Sequence, residues 1–365
     1  MPIISAVGDV RIFRKQPETA LKHVREIFKR ADIAFCQSES SYSDKGSQGS
    51  SGMRGAAPID VRGYPTFASI GFDVVSMASN HTMDWGQDPL LDAMKRMHAD
   101  GIQTIGAGSD IDEARKPAIV ERNGTKIAFL GYCSVAPKSY YAVPGRAGIA
   151  PMRAITHYEA LEDDQPGTPC KIMTWPLQRD LDALVADIKR VRSQVDIVAV
   201  SLHWGVHHIK GLIADYQPTV AYAAIDAGAD IIIGHHPHIL KGIEVYRGKV
   251  ILYSIGDFAR DFNKDRKPDV EWNRECEEVY KIYGSAFLGG KGKEEPNHGH
   301  LEDSYSMVAN IQFDKGRIER VSFLPIMIER DESGQQPTPA PVSSARGAEI
   351  AKFMADITRD AGAER

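Results

Sequence analysis

Short apolar runs alternate with amphipathic segments over the first two-thirds of the chain, and an apolar run of strand length follows each amphipathic segment. The apolar runs occupy residues 3–7, 32–36, 73–78, 126–132, 196–202, 230–233 and 249–253. The amphipathic segments, whose apolar residues recur at helical spacing, occupy residues 17–30, 87–99, 179–193 and 215–227. This alternation is typical of βαβ units and predicts an α/β fold.

Two segments break the alternation and are predicted to be long loops. Residues 43–58 are rich in serine and glycine, whereas residues 261–303 are charged and irregular. Long loops in compact domains are often functional or disordered. We therefore treat residues 43–62 and 261–303 as insertions into the α/β domain.

The end of the chain has a different pattern. Residues 305–313 and 317–327 flank the turn Asp314-Lys315-Gly316, which predicts a β-hairpin. The proline-rich stretch 336–341 resembles a linker to a final short helix at about 345–358. The predicted organisation is one domain over residues 1–330, followed by a linker and a C-terminal helix over residues 331–365.

Length and charge exclude some classes of protein. The 365 residues, 42% of them hydrophobic, are enough for one large domain or two ordinary ones. The net charge of −5 gives no sign of the basic face that nucleic-acid binding needs. No apolar run is long enough to span a bilayer, and residues 3–7 already form a strand where a signal peptide would stand. We therefore expect a cytoplasmic protein with neither nucleic acid nor a membrane as partner.

The four cysteines, Cys36, Cys133, Cys170 and Cys276, are scattered and form no C-x-x-C pair. This spacing argues against a disulfide framework or a zinc–thiolate site and fits a reducing compartment. We expect the cysteines to be buried small hydrophobic side chains.

Polar clusters stand at or just after the ends of five predicted strands, where ligands bind in open α/β sheets. They are Gly8-Asp9, Glu39, Ser79-Asn80-His81, His203-Trp204-Gly205 and Gly234-His235-His236-Pro237-His238. Two carboxylates, an amide oxygen and several imidazoles suit Mn, Fe or Zn better than Mg or Ca. One such cluster is usually structural, but five at one edge predict a metal site.

The chain resembles a known family in several of these stretches. The segment from Gly71 to Tyr132 is similar to the core of the CapA (poly-γ-glutamate synthesis) family, and LHWGVHH, GHHPHIL and LYSIGDF resemble its later motifs. The resemblance spans about residues 3–327, with little similarity over 261–303. It implies the calcineurin-like metallophosphoesterase fold, an α/β/β/α sandwich of two stacked β-sheets flanked by helices. It also implies a divalent metal centre holding one or two Mn, Zn or Fe ions.

The resemblance assigns roles to individual residues. The implied metal ligands are Asp9, Glu39, Asn80, His203, His236 and His238. His81 matches the histidine that acts on the leaving group, although a hydrogen bond that holds Asn80 is the rival role. Asp84 would orient His81 or serve as a helix N-cap.

The chain departs from the family pattern at three positions. Arg11 stands where the superfamily's D-x-H motif has a histidine ligand, so one metal position is expected to be weak. His207 replaces the usual glutamate after His-Trp-Gly, and Asp257 replaces the asparagine of Gly-Asn-Phe. We interpret Arg54, His207, His235 and Asp257 as candidate substrate contacts, with structural roles as the alternative.

Three functions remain open from the sequence. The preferred one is a metal-dependent hydrolase of an amide, ester or lactone bond in a small or peptide-like acidic substrate, carboxylate-bearing or γ-glutamyl in type. The alternatives are a phosphoesterase and a non-catalytic component of capsule synthesis, which would be expected to carry a membrane anchor. Fold analogy does not decide between them. The natural substrate, the metal and the oligomeric state, a homo-oligomer included, stay open.

Overall fold

The structure is a computed structural model that describes residues 1–46, 60–261, 270–288, 301–329 and 338–362. Its strands are β1 Ile3–Arg11, β2 Ile33–Ser38, β3 Val74–Ser76, β4 Gln103–Ile105, β5 Ala107–Gly108, β6 Ala118–Arg122, β7 Thr125–Cys133, β8 Gly148–Ile149, β9 Ala154–Ala160, β10 Cys170–Pro176, β11 Ile197–His203, β12 Ile231–His235, β13 Ile243–Tyr246, β14 Lys249–Leu252, β15 Asp257–Arg260, β16 Tyr305–Asp314, β17 Arg317–Glu329 and β18 Thr338–Pro341. Its α-helices are α1 Arg25–Lys29, α2 Tyr64–Ser69, α3 Gln87–Ala99, α4 Ile111–Ala114, α5 Gln178–Arg192, α6 Tyr216–Asp226, α7 Val270–Tyr283 and α8 Ser344–Asp360.

The first sheet is built around β1. Strands β2, β3 and β4 continue it in parallel on one side, whereas β16, β17 and β18 continue it antiparallel on the other. Strand β15 also pairs with β1 in parallel, at the carboxyl end. Because β1, β2 and β3 run in the same direction, their carboxyl ends meet at one edge of the sheet.

The second sheet has the order β13-β14-β12-β11-β7-β6, with its four central strands parallel. The two sheets face each other across a shared apolar layer, in which the Phe35 and Phe129 rings stack 5.7 Å apart. Helices α1, α2 and α3 cover the outer face of the first sheet, and α5 and α6 cover that of the second. The predicted α/β/β/α sandwich is therefore confirmed.

Strand β12 illustrates why these segments read as continuous apolar runs. Ile231 and Ile233 point into the layer between the sheets, whereas Ile232 packs under the outer helices. A strand that is covered on both faces needs apolar side chains at every position.

The segment 261–303 was predicted to be a loop, and in its described part this prediction is wrong. It contains α7 and the short 3-10 turns Gly284–Ala286 and Leu301–Ser304. Among the described side chains of α7, Cys276, Val279 and Tyr283 pack in a small cluster with Ile209 and Phe287, whereas most of the exposed ones are charged. The other predicted loop lies mostly outside the described residues, because 47–59 are not among them.

The C-terminal part is tied into the sandwich. Residues 338–341, predicted to belong to a linker, form β18 at the edge of the first sheet. Proline is tolerated there because an edge strand has one row of backbone groups without a ladder partner. Helix α8 packs Ile350, Phe353 and Ile357 against the layer between the sheets.

Three further expectations changed with the structure. Only Arg25–Lys29 and the 3-10 turn Pro17–Thr19 form within the helix expected over 17–30. The antiparallel pair of β9 and β10 was not foreseen. Cys170 on β10 is exposed, whereas the other three cysteines are buried as expected.

Within the described residues, no helix is long and apolar enough to cross a membrane.

Candidate metal centre

The six side chains predicted as metal ligands converge at the carboxyl edges of the two sheets. Asp9 lies on β1, Glu39 directly follows β2, and Asn80 lies in the turn after β3. His203 ends β11, and His236 and His238 lie in the turn after β12. Each of these side chains therefore lies at or just after the carboxyl end of a parallel strand.

The distances show one buried cluster. Asp9 Oδ2 lies 3.2 Å from His238 Nδ1, and Glu39 Oε1 lies 3.7 Å from His203 Nε2 and 3.8 Å from His238 Nε2. His203 Nε2 lies 2.8 Å from Asn80 Oδ1. The His203 and His236 ring centroids are 4.9 Å apart.

The local backbone at this edge is tightly constrained. Gly8 is required because a Cβ there would lie 1.7 Å from the carbonyl oxygen of Gly256. This close approach brings the start of β15 beside Asp9, where the pairing of β1 also shifts register. His236 and His238 adopt positive φ angles of 96° and 59°, which non-glycine residues rarely do. Such strain concentrates at functional sites.

Burial sets the charge of these groups. Burial raises the pKa of Asp9, and the neighbouring charges of Glu39 and Asp257 raise it further. Burial also raises the pKa of Glu39, although His81 and Arg260 oppose this. Burial lowers the pKa of His203 well below its usual value, which keeps the imidazole neutral. A divalent cation among them would offset the cost of burying two carboxylates side by side.

The donor atoms fit a metal. Several buried atoms have no hydrogen-bond partner among the described residues: Asp9 Oδ1, both carboxylate oxygens of Glu39, His203 Nδ1 and His236 Nδ1. Buried polar atoms are normally paired, so such a set is expected where an ion binds. Three trios have ligand atoms that all lie within 4.8 Å of one another: Asp9–Glu39–His203, Asp9–His238–Asp257 and His207–His236–His238.

His81 has a different environment from the ligand set. Its Nδ1 makes a 2.8 Å hydrogen bond with Asp84 Oδ2, and Tyr140 donates to the other oxygen of Asp84 at 2.9 Å. Asp84 is fully buried, whereas His81 is partly accessible. The expected contact between His81 and Asp84 is present, and Tyr140 extends it.

Asp257 and Arg260 close one end of the cluster. Asp257 Oδ1 lies 2.8 Å from His238 Nδ1, and Arg260 Nε donates to both oxygens of Asp257 at 3.1 and 2.9 Å. Arg260 Nε also lies 3.9 Å from Glu39 Oε2. Sequence reasoning did not single out Arg260, although it stands at the carboxyl end of β15, only three residues after Asp257.

The other candidate substrate contacts lie in different environments. His207 lies against the histidines predicted to be ligands, with its ring centroid 3.9 Å from that of His236. His235 is fully buried and points with Ile231 and Ile233 between the sheets, near Phe35. Strand alternation thus directs His235 into the core, which favours the structural role over a substrate contact. Arg54 lies outside the described residues.

Comparison with known proteins identifies a family that matches most of the chain. The family model described as "Bacterial capsule synthesis protein PGA_cap" matches residues 4–262. The PGA biosynthesis protein CapA of Bacillus subtilis is 28% identical over 274 residues, which are 73% of this chain and 65% of that protein. A probable polyglutamine synthesis accessory protein of Mycobacterium tuberculosis is 32% identical over 54% of this chain and 48% of that protein. The chain thus spans about half to two-thirds of these relatives' length.

Two solved structures are similar to this chain at low sequence identity. A hypothetical protein from Thermus thermophilus has a TM-score of 0.46 at 14% identity, over 88% of this chain and 98% of the other. The calcineurin-like phosphoesterase YfkN from Bacillus subtilis has a TM-score of 0.40 at 10% identity, over 98% of this chain and 98% of the other.

Proposed function

This chain belongs to the family of bacterial capsule synthesis proteins, and from that premise and its site we propose that it is a metal-dependent hydrolase. We further propose that it cleaves an amide, ester or lactone bond in a small acid that carries a carboxylate. The observation that carries the proposal is the buried convergence of carboxylate, amide and imidazole groups. Among them, Asp9, Glu39, His203 and His236 have side-chain atoms without a hydrogen-bond partner within the described chain.

We assign Asp9, Glu39, Asn80, His203, His236 and His238 to hold the metal. When bound, Mn, Zn or Fe supplies Lewis acidity and lowers the pKa of coordinated water. The protein's own contribution is to fix these donors through short turns after buried strands, and to bury them away from bulk water. Such preorganisation limits the reorganisation that the reaction would otherwise require.

The proposed acid is His81. If its Nδ1–H donates to Asp84, the ring is oriented and Nε2 becomes the atom that exchanges a proton with the substrate. Tyr140 fixes Asp84 from the other side. A positioned imidazole of this kind typically contributes about 10²–10⁴-fold to the rate.

An acidic substrate is supported by two observations. The buried guanidinium of Arg260 and that of Arg11 lie at one end of the site, where both interact with Glu39 and Asp257. The Bacillus subtilis relative is named for the biosynthesis of PGA, which as poly-γ-glutamate is rich in carboxylates. Together they favour a substrate whose carboxylate lies near the arginine end.

The test is a comparison of substrates on the purified chain after chelation and after return of Mn, Zn or Fe. A γ-glutamyl anilide, an aryl ester and a lactone represent the preferred chemistry, and aryl phosphomono- and diesters represent the alternative. We expect metal-dependent turnover of the carboxylic substrates, with their neutral analogues poorer. Turnover of phosphate esters alone would replace this proposal by a phosphoesterase. Metal binding with no turnover of either class would favour a non-catalytic capsule component.

A further inference from the structure

His207 lies on the loop that follows β11, four residues after His203. Its ring centroid is 3.9 Å from that of His236 and 5.0 Å from that of His238. Three imidazoles therefore meet in one corner of the cluster. The neighbouring His208 is more distant, with its ring centroid 5.7 Å from that of His238.

The donor atoms of this trio are suited to bind an ion. His207 Nε2 and His236 Nδ1 are buried and have no hydrogen-bond partner within the described residues. His238 Nδ1 is engaged with Asp257, which leaves Nε2 as its ligand atom. One ligand atom from each ring lies within 4.8 Å of the other two.

The loop that carries His207 is braced on several sides. The buried Lys241 side chain donates to the carbonyl oxygens of Ile209 and Leu212. The backbone N–H of His208 donates to the carbonyl oxygen of Pro237 at 3.1 Å, which ties the loop to the turn that carries His236 and His238. A ring held in this way meets its neighbours without a large loss of conformational freedom.

We propose that His207 is itself a metal ligand and forms a three-imidazole position with His236 and His238. Arg11 cannot coordinate, because a guanidinium stays protonated and offers no lone pair. The imidazole of His207 supplies a nitrogen donor to the same cluster. Three imidazoles with an open fourth position are a known arrangement for catalytic Zn²⁺. This inference rests on the proposed metal centre but not on the proposed substrate.

The rival role for His207 is aromatic packing against the two ligand rings. The change His207→Phe keeps a flat ring and removes the nitrogen donors, whereas His207→Glu removes the ring and keeps a ligand atom. The two roles therefore predict opposite orders for these variants. His208→Asn is the matched control, because His208 neighbours His207 and has a φ of 55° that asparagine tolerates.

The experiment measures Zn²⁺ affinity by competition with a chromophoric chelator, together with the visible spectrum of the Co²⁺-loaded protein. We expect His207→Phe to bind Zn²⁺ at least about tenfold more weakly, since loss of an outer-shell partner alone costs roughly 10–100-fold. Its Co²⁺ spectrum should change, whereas His207→Glu should retain most of the affinity and His208→Asn should match wild type. His207→Ala gives the same readout if the phenylalanine variant does not fold.

Wild-type affinity and an unchanged Co²⁺ spectrum in a folded His207→Phe or His207→Ala protein would overturn the assignment of His207. Weaker binding by His207→Glu than by His207→Phe would assign His207 to packing and likewise overturn it. Absence of metal from the wild-type protein would instead overturn the proposed function itself.

Discussion

His81 is the residue whose environment most clearly separates catalysis from metal binding. Its ring is hydrogen-bonded to Asp84, which Tyr140 fixes in turn, and it stands beside the proposed ligand Asn80 in the turn after β3. A histidine placed in this way can transfer a proton while the metal stays bound to other groups. The two roles can therefore be separated by mutation.

We predict that His81→Ala keeps the metal and loses about 10²–10⁴-fold in kcat. The loss should be smaller for substrates with good leaving groups, because these need no protonation. Metal content and kcat over a series of leaving groups provide the measurement. His157→Ala, a change of an exposed histidine on β9, serves as the control. If His81→Ala strips the metal instead, His81 is a ligand and its assigned role is wrong.

At the scale of single residues, the sequence predicted the members of the candidate metal centre but not all the side chains that contact them. Asp9, Glu39 and His203 could be found because each follows an apolar run. Arg260 was missed because its place beside Glu39 depends on β15 pairing with β1, a contact between distant parts of the chain. His235 was grouped with the site because its motif neighbours are predicted ligands, although strand alternation turns its own side chain inward.

Among the structural elements, the loop after β11 depends on one buried amine, that of Lys241. Lys241 is 1% exposed and donates to two carbonyl oxygens of that loop. Burial lowers the pKa of Lys241 to about 7 from its usual value of 10.5. At a pH between these two pKa values, Lys241 binds a proton in the unfolded chain but not in the folded chain.

Stability should consequently rise with pH over this window, because the unfolded state binds more protons. We predict that the free energy of unfolding of wild type, relative to Lys241→Met, increases from pH 7 towards pH 10. The slope should be at most about 1.4 kcal/mol per pH unit. Urea titrations of both proteins at several pH values measure this difference. The contributions of the other titrating groups are common to both proteins and cancel in the difference. A difference that stays constant over the window would contradict a neutral Lys241 in the folded state.

Helix α8 is the second element with a testable role, because it packs on the layer between the sheets. Phe353 is 7% exposed and its ring meets that of Tyr305 edge-on at 5.4 Å. We predict that Phe353→Ala lowers the free energy of unfolding by about 3–5 kcal/mol, as buried phenylalanines usually do. Lys352→Ala on the exposed face of α8 should change it by less than about 0.5 kcal/mol. An effect of Phe353→Ala no larger than that of the control would show that α8 is dispensable.

The elements that sequence reasoning missed share a physical cause. Strands covered on both faces could be predicted, because burial imposes apolar side chains on them. The β9–β10 pair exposes Tyr158, Ile172 and Trp175, so no inward-facing pattern marks it. Helix α7 buries only a narrow stripe, which left its charged residues to dominate the pattern.

For the whole molecule, the site joins the two sheets. Asp9, Glu39 and Asn80 come from the first sheet, whereas His203, His236 and His238 come from the second. An ion held by both sets binds the folded chain and not the unfolded one, so it stabilises the sandwich by mass action. Chelation should therefore lower the melting temperature, as scanning calorimetry with and without added metal would show.

The central claim is that both sheets together hold a metal through imidazole, and elemental analysis of the purified protein tests it most directly. Wild type and His157→Ala should each carry at least one Mn, Fe or Zn per chain. The double variant His236→Ala, His238→Ala should lose this metal while remaining folded by circular dichroism. Full metal in the double variant, or a wild-type protein that takes up none, would contradict the account.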